Sequence, residues 1–228
     1  MRMKDPLALK KLAMLFGNLA LHIVGYLGVN AYLATQGRSY DIAIGLDHQI
    51  PFIKYFAPFY SIVYFIPVTA FFLIWSNYEA IKAAAKAFAG AGVFCFTFFL
   101  LFPVKYNLRV DLQPPYDFFT NVLRFFYYID QPYNCFPSLH VALATISTVI
   151  IHRYRPGLTP LFVVLSAIVS LSILFMKQHY VLDFVGGLGV TLLMSVMFLP
   201  VGAPLAGARS KVVVGAADRA TARVAPTE

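Results

Sequence analysis

Two short stretches of the chain hold most of its candidate chemistry: Phe136-Pro137-Ser138-Leu139-His140, and Lys177-Gln178-His179-Tyr180 with Asp183 close behind. Between them they carry two histidines, a carboxylate, a hydroxyl and an ammonium group. His179 and Asp183 are four residues apart, so on a helix they share a face, one turn from each other. A carboxylate in that place holds an imidazole in one tautomer and stabilises its cation, as a nucleophilic histidine requires. Pro137 suits the first turn of a helix. The free N–H groups behind it, with the Ser138 hydroxyl, form an oxyanion site. His140 falls on the same turn, placed to act as general acid and then as base. Lys105, Arg109 and Lys177 would neutralise a phosphate. Two histidines with cations and no obvious metal cage point to phosphoryl transfer through a phosphohistidine.

The elements that position these groups are set by composition. The chain is 60% hydrophobic and 12% charged, with a mean hydropathy of +0.72. Its apolar residues come in long runs, so the solvent is a bilayer and the fold an all-α integral membrane bundle. Six transmembrane helices are expected, at Leu12–Leu33, Phe59–Trp75, Ala83–Phe102, Pro137–Arg155, Leu158–Met176 and Val181–Val201. The fourth is the weakest, because its strictly apolar part stops at Ile151 and it needs Arg153 and Arg155 to snorkel. Residues 1–202 read as one domain. The Ala- and Arg-rich stretch 203–228 reads as a disordered cytoplasmic tail. Tyr116–Tyr128, dense in Phe and Tyr, reads as an interfacial helix. The basic start followed by an apolar run resembles a signal peptide, but the run is too long and contains His22, so a retained first span is expected.

Lys and Arg set the orientation. An even number of spans puts both termini on one side, with 12 of the 18 lysines and arginines against 6 on the other. Both termini are therefore expected in the cytoplasm, the protein in a plasma (bacterial inner) membrane and the site on the extracytoplasmic face. The third and fifth spans end on that face and the fourth and sixth begin there. Lys105, Arg109, Ser138, His140, Lys177, His179 and Asp183 thus gather at one membrane surface. The net charge of +8 needs no nucleic-acid partner, since the inner positive bias accounts for most of it.

The chain resembles the type-2 phosphatidic acid phosphatase superfamily. Members carry Lys-x6-Arg-Pro, Pro-Ser-Gly-His and Ser-Arg-x5-His-x3-Asp. The second motif is present as Pro137-Ser138-Leu139-His140, with Leu in the Gly position. In the third, Ser172, His179 and Asp183 match while Ile173 replaces Arg. The first is reduced to Lys105, with Leu112 seven residues on and Arg109 the nearest substitute. The stretch Asn134-Cys135-Phe136-Pro137-Ser138-Leu139-His140, together with Lys177-Gln178-His179-Tyr180, is similar to the inositol phosphorylceramide synthase-like branch. The resemblance implies His179 as nucleophile, Asp183 as its orienter and His140 as acid and base. It implies Ser138 and the cations as phosphate ligands, with Lys177 in place of the missing Arg, and no cofactor.

Plainer readings stand beside these. Lys105 and Arg109 can simply snorkel from the third span. Asp111 and Asp130 read as solvated loop residues, and His22 as a polar contact between spans. A metal at His140, His179 and Asp183 is not expected, because no third strong ligand lies nearby and outer cations would repel it. Cys95 and Cys135 fall at different depths, so no disulfide is expected. Three functions remain. A lipid-phosphate phosphatase leads, a lipid phosphotransferase passing the head group to an alcohol follows, and a transporter comes last because repeats and broken spans are missing. The expected partners are the bilayer and a lipid phosphate or phospholipid.

Overall fold

A computed structural model describes residues 5–199. Nine α-helices occur among them, with no strand and one isolated bridge between Tyr40 and Val104. They are α1 (Ala8–Thr35), α2 (Gly45–Gln49), α3 (Ala57–Tyr60), α4 (Ile62–Leu73), α5 (Tyr78–Leu101), α6 (Phe118–Ile129), α7 (Leu139–Tyr154), α8 (Thr159–Phe175) and α9 (Val181–Phe198). Five continuous helical stretches are long and apolar enough to cross a membrane: Ala8–Thr35, Lys54–Leu73, Tyr78–Leu101, Pro156–Phe175 and Val181–Phe198. These stretches overlap five of the six expected spans. The fourth is a helix of 16 residues, about 24 Å at 1.5 Å per residue, short of a hydrocarbon core of about 30 Å. The expected tail, 203–228, lies outside the described residues.

The short helix is the axis of the bundle. α4, α5, α8 and α9 pack around α7, and α1 packs along the outside of α5. Buried residues therefore run around the whole of α7, from Leu139 to Ile151. A helix sheathed in protein does not need a span's length of apolar residues. α1 buries only Lys11, Leu15, Asn30 and Leu33 and shows Phe16, Ile23, Val24 and Leu27 to its surroundings, the pattern of a lipid-facing helix.

Small and hydroxylic residues hold the helices together, as expected where lipid removes the hydrophobic drive between them. Thr145 of α7 meets Thr191 of α9 at 2.5 Å, and Thr148 meets Ser166 of α8 at 2.7 Å. Gly187 sets the α7–α9 spacing: a Cβ there would lie 2.6 Å from the Ser138 carbonyl oxygen. His22 lies between helices, its Nδ1 on the Asn18 carbonyl at 2.8 Å and its Nε2 where a Cβ on Gly92 of α5 would come within 3.0 Å. The ring thus packs between spans, on Phe96 and Gly92 of α5, but its one hydrogen bond stays within α1 rather than forming the expected polar contact between spans.

The bundle has two distinct ends. At one, Lys11 bonds to the Trp75 carbonyl and Arg155 to the Leu73 carbonyl. At the other, the C-termini of α5 and α8 meet the N-termini of α7 and α9. Both motif stretches lie there, roofed by α2, α3 and α6.

Candidate active site

Local sequence decides where each histidine sits. Ser138 is the N-cap of α7, its Oγ accepting from the Val141 N–H at 3.4 Å. Pro137 therefore precedes the helix rather than opening it, because the serine oxygen satisfies a donor the first turn would otherwise leave free. The Ser138 N–H donates to the Asp183 carbonyl at 3.0 Å, which pins α7 to α9. His140 follows on the first turn, buried.

His179 is not helical, contrary to the helix-face expectation. It occupies the turn between α8 and α9, and Asp183 reaches it by capping α9. One carboxylate oxygen, Oδ2, accepts from the Tyr180 N–H at 2.8 Å and from His179 Nδ1 at 3.1 Å. The turn is a Schellman motif: Lys177 N–H donates to the Leu174 carbonyl at 3.1 Å and Gln178 N–H to the Ile173 carbonyl at 2.9 Å. Lys177 takes the left-handed position, φ 56°, where glycine is usual. Its ammonium reaches back to the Asp47 and Ile50 carbonyls, at 2.9 and 2.6 Å. Burial of that ammonium lowers its pKa, and the nearby Asp47 carboxylate offsets part of the effect. Asp47 accepts from Val181 N–H at 2.8 Å, so α2 straps the turn from above.

The two histidines meet across 3.2 Å, His179 Nε2 to His140 Nδ1. A contact between two imidazole nitrogens needs one proton between them. His179 keeps Nε2 free for this contact because Nδ1 is committed to Asp183. His140 is held the same way from its far side. Its Nε2 lies 2.6 Å from the Tyr60 hydroxyl, which bonds in turn to Asp130 Oδ2. Tyr26 donates to Asp130 Oδ1 at 2.6 Å, and His140 Nε2 stands 3.7 Å from Asp130 Oδ2. Each histidine thus has a carboxylate behind it, Asp183 directly and Asp130 through a tyrosine.

The expectation of a solvated Asp130 is corrected: it is 5% exposed. Its tyrosines come from α1 and α3, far away in sequence, so spacing carries no sign of them. An acidic residue closing a run of aromatics is the only local signal. The structure also brings in a third ligand type: Cys135, His179 and Asp183 place one ligand atom each within 4.8 Å of one another, all buried. The donor chemistry fits a hydrogen-bonded cluster better than a metal centre. The His179 and Asp183 atoms already bond each other, and burial pushes the Cys135 thiol pKa well up, away from the thiolate a metal takes. Both cysteines are free.

The cations divide. Arg109 comes to the site: it stacks 4.5 Å from the Tyr127 ring centre, donates to the Tyr127 and Asp130 carbonyls, and binds Gln178 Oε1 beside His179. Arg109 Nε and Gln178 Nε2 are buried donors with no partner among the described residues. Lys105 sits 5.4 Å above the Tyr133 ring, and Lys177 is turned to the α2 strap. Gln178, Tyr26, Tyr60 and Asp130 are members of this cluster that motif spacing did not single out.

A family model described as the PAP2 superfamily matches residues 40–197. The chain belongs to the PAP2 superfamily. No significant match was found among curated proteins or solved structures. Membership of the PAP2 superfamily brings with it a lipid phosphatase or phosphotransferase activity in general terms, and with the apolar helices it marks a membrane protein. Its match runs from just ahead of α2 nearly to the end of α9, so it takes in every side chain of the histidine cluster except Tyr26.

Proposed function

We propose that the protein is a membrane lipid-phosphate phosphatase that works through a phosphohistidine on His179. The observation that carries this is the pair of carboxylate-backed histidines whose remaining nitrogens face each other. His179 Nε2 attacks phosphorus and the bond from phosphorus to the leaving oxygen breaks. His140 gives its Nδ1 proton to that oxygen. Water then loses a proton to the same nitrogen, its oxygen attacks phosphorus, and inorganic phosphate leaves with His179 restored. Asp183 stabilises the positive charge His179 gains on attack. When Tyr60 gives its single proton to Asp130, His140 must donate from Nε2 to the tyrosine oxygen. Nδ1 is then the nitrogen left to exchange a proton with substrate. Arg109 Nε and Gln178 Nε2, buried donors without a partner among the described residues, are assigned to the phosphoryl oxygens. Lys105 and Ser138 are further candidates, while Lys177 supports the turn.

Six membrane crossings, with α7 as the enclosed fourth, both termini cytoplasmic and the site at the outer surface of a plasma membrane, complete this reading. It requires no metal, since the protein's own donors bear the phosphate charge.

A second reading, transfer to an alcohol as in inositol phosphorylceramide synthase-like relatives, is favoured by one observation. His140, His179 and Asp183 are 6%, 3% and 0% exposed beneath α2, α3 and α6. Water exclusion of that kind protects a phosphoenzyme until an acceptor arrives. The test is a radiolabelled phospholipid or lipid phosphate given to purified protein in chelator, with and without added inositol. An acid-labile phosphoenzyme that disappears in His179→Ala, with phosphate or a soluble phosphoester as product, supports the first reading. A labelled new lipid that depends on inositol supports the second. Undiminished turnover in His179→Ala removes both.

A further inference from the structure

The two histidines are closed on each other. An in-line displacement needs phosphorus about 3–3.5 Å from the attacking nitrogen and a leaving oxygen about 2.6–3.2 Å from the acid. His179 Nε2 and His140 Nδ1 stand 3.2 Å apart and bond each other, which leaves no place for phosphorus between them. The pair must part before a phosphoester enters. His179 is the fixed member, since Asp183, the Schellman turn and the α2 strap all hold it. His140 is backed by the roof, through Tyr60 of α3 and Asp130 at the end of α6. There Leu123 and Phe126 of α6 join Ala57, Tyr60 and Met176 in a small core separate from that of the bundle.

α6 is held unevenly. Its last turn is pinned by buried groups: Tyr127 Oη donates to the Met176 carbonyl at 2.6 Å, Arg109 to the Tyr127 and Asp130 carbonyls, and Tyr26 to the Asp130 carboxylate. Its first turn is fastened by the ion pair of Lys54 Nζ with Asp117 Oδ2 at 2.7 Å, both side chains partly exposed. Along its length α6 packs on α3 and on the turn Lys54–Phe56, and on no other helix to a comparable degree. Outward it shows Phe118, Phe125 and Tyr128, which are 67%, 57% and 79% exposed and share one stripe of the helix. The Arg124 guanidinium lies beside them, 3.9 Å from the Tyr116 ring centre. The apolar stretch Lys54–Leu73 begins at the turn that α6 packs on, so this face lies at the membrane boundary. Aromatic rings and two cations at that level suit the phosphates of anionic headgroups.

We infer that α6 is a lid worked by an anionic lipid surface: headgroup phosphates take Lys54 from Asp117, and the first two turns of α6 swing outward into the interface about the Tyr127–Asp130 end. This rests on the phosphohistidine reading above for why the histidines must part, while the lid itself rests on packing and charge. An exposed ion pair in water is worth little, and an anionic surface replaces its attraction for Lys54 while repelling Asp117. Lifting α6 in water exposes Leu123, which holds the lid shut there. At the headgroup boundary Leu123 and the aromatic stripe sink among acyl chains instead, and that cost is offset. Leu123 then leaves the cluster it shares with Tyr60. Tyr60, the nearer support of His140, is freed to give way together with the His140 ring, while Asp183 keeps His179 in place. Asp130 stays at the hinge.

The test uses the full chain in nanodiscs of phosphatidylcholine, with or without phosphatidylglycerol. It reads the lid through Leu123→Cys, at a position fully buried while the lid is shut. The unmodified chain, with Cys95 and Cys135 both buried, is the blank. Labelling by a water-soluble maleimide is expected to quicken about tenfold or more with phosphatidylglycerol, from two cations meeting the surface. Asp117→Asn keeps the N-cap and drops the ion pair, and is expected to quicken labelling about two- to fivefold in phosphatidylcholine alone. Arg124→Gln and Phe118→Ser are each expected to blunt the response to phosphatidylglycerol. Turnover of butyl phosphate, a soluble substrate for which the lipid is only a surface, is expected to follow the labelling. Labelling that ignores the lipid overturns the inference, in Leu123→Cys or, where that variant does not fold, in Ala57→Cys of the same buried core. Lipid-dependent labelling in a protein that turns over no phosphoester would remove the catalytic reading and keep the lid. Turnover with the probe unlabelled in every lipid would do the reverse.

Discussion

Asp130→Asn isolates the second carboxylate. The change keeps the size and shape of the side chain, but removes the charge that backs His140 and turns one of the two oxygens that accept from Tyr26 and Tyr60 into a donor. At 3.7 Å and an effective dielectric of about 20, a carboxylate attracts an imidazolium at His140 by about 4.5 kcal/mol. The intervening Tyr60 hydroxyl and the residual amide dipole reduce the loss, so about 3 kcal/mol, or roughly 10²-fold in rate, is the working figure. The loss falls on one step. His140 is needed as an acid only where the leaving oxygen must be protonated. An alkyl phosphate is therefore expected to slow by about 10²-fold, and p-nitrophenyl phosphate, whose leaving group departs as an anion, by less than about tenfold. Steady-state rates on both substrates, with thermal unfolding of the same preparations, decide it. Tyr60→Phe breaks the same connection from the other side and is expected to show the same selective loss. Equal loss on both substrates would mean that Asp130 only holds the fold together. Near-normal hydrolysis of the alkyl ester would mean that it does not act on His140 at all.

Lys177 distinguishes a scaffold from a ligand. Lys177→Ala and Lys177→Gly each remove two charged hydrogen bonds worth about 1.5–3 kcal/mol apiece, but glycine also relieves about 1–2 kcal/mol of left-handed strain. Alanine is thus expected to lower the melting temperature more than glycine, with KM for substrate little changed in both. A large rise in KM in both variants would make Lys177 a phosphate ligand after all. Gly187→Ala, which sets a methyl group 2.6 Å from the Ser138 carbonyl, is expected to cost about 1–3 kcal/mol and to part the two histidine-bearing turns. Gly189→Ala, with nothing near, is expected to be neutral or slightly stabilising on the same melting curve. In a background lacking Cys95 and Cys135, Gln113→Cys and Pro156→Cys are expected to react with an impermeant reagent from opposite faces of sealed vesicles. Labelling of Gln113→Cys from the cytoplasmic face alone would reverse the orientation.

How much of this was visible in the sequence depends on how far each feature reaches along the chain. Helix content and the apolar stretches follow from local composition, and their bounds moved by only a few residues. His179 and Asp183 are four apart, and their contact survives although it is made by a cap instead of a helix face. What local reading misses is whatever depends on a distant partner or a special backbone. Asp130 is joined to residues 70 and 104 positions away. Lys177 sits in a left-handed turn that spacing cannot show, and its ammonium bonds carbonyls of a strap 127–130 residues earlier, a partner that reading it as a phosphate ligand does not anticipate.

The fourth expected span shows the same limit from the other direction. Hydropathy rules measure what lipid demands of a helix that touches lipid. α7 touches mostly protein, so it is free to be short, to carry Thr145, Ser147 and Thr148 on its sides, and to begin with Ser138 and His140. The features that make it a poor span by composition are those that suit it to carry His140, the proposed acid and base. A helix on the outside of the bundle would have to keep that first turn apolar or leave its polar groups unpaired. Enclosed by α4, α5, α8 and α9, the turn has Asp183, Tyr60 and Asp130 within reach. His140 lies on the most enclosed helix, where it is buried and hydrogen-bonded on both ring nitrogens at once.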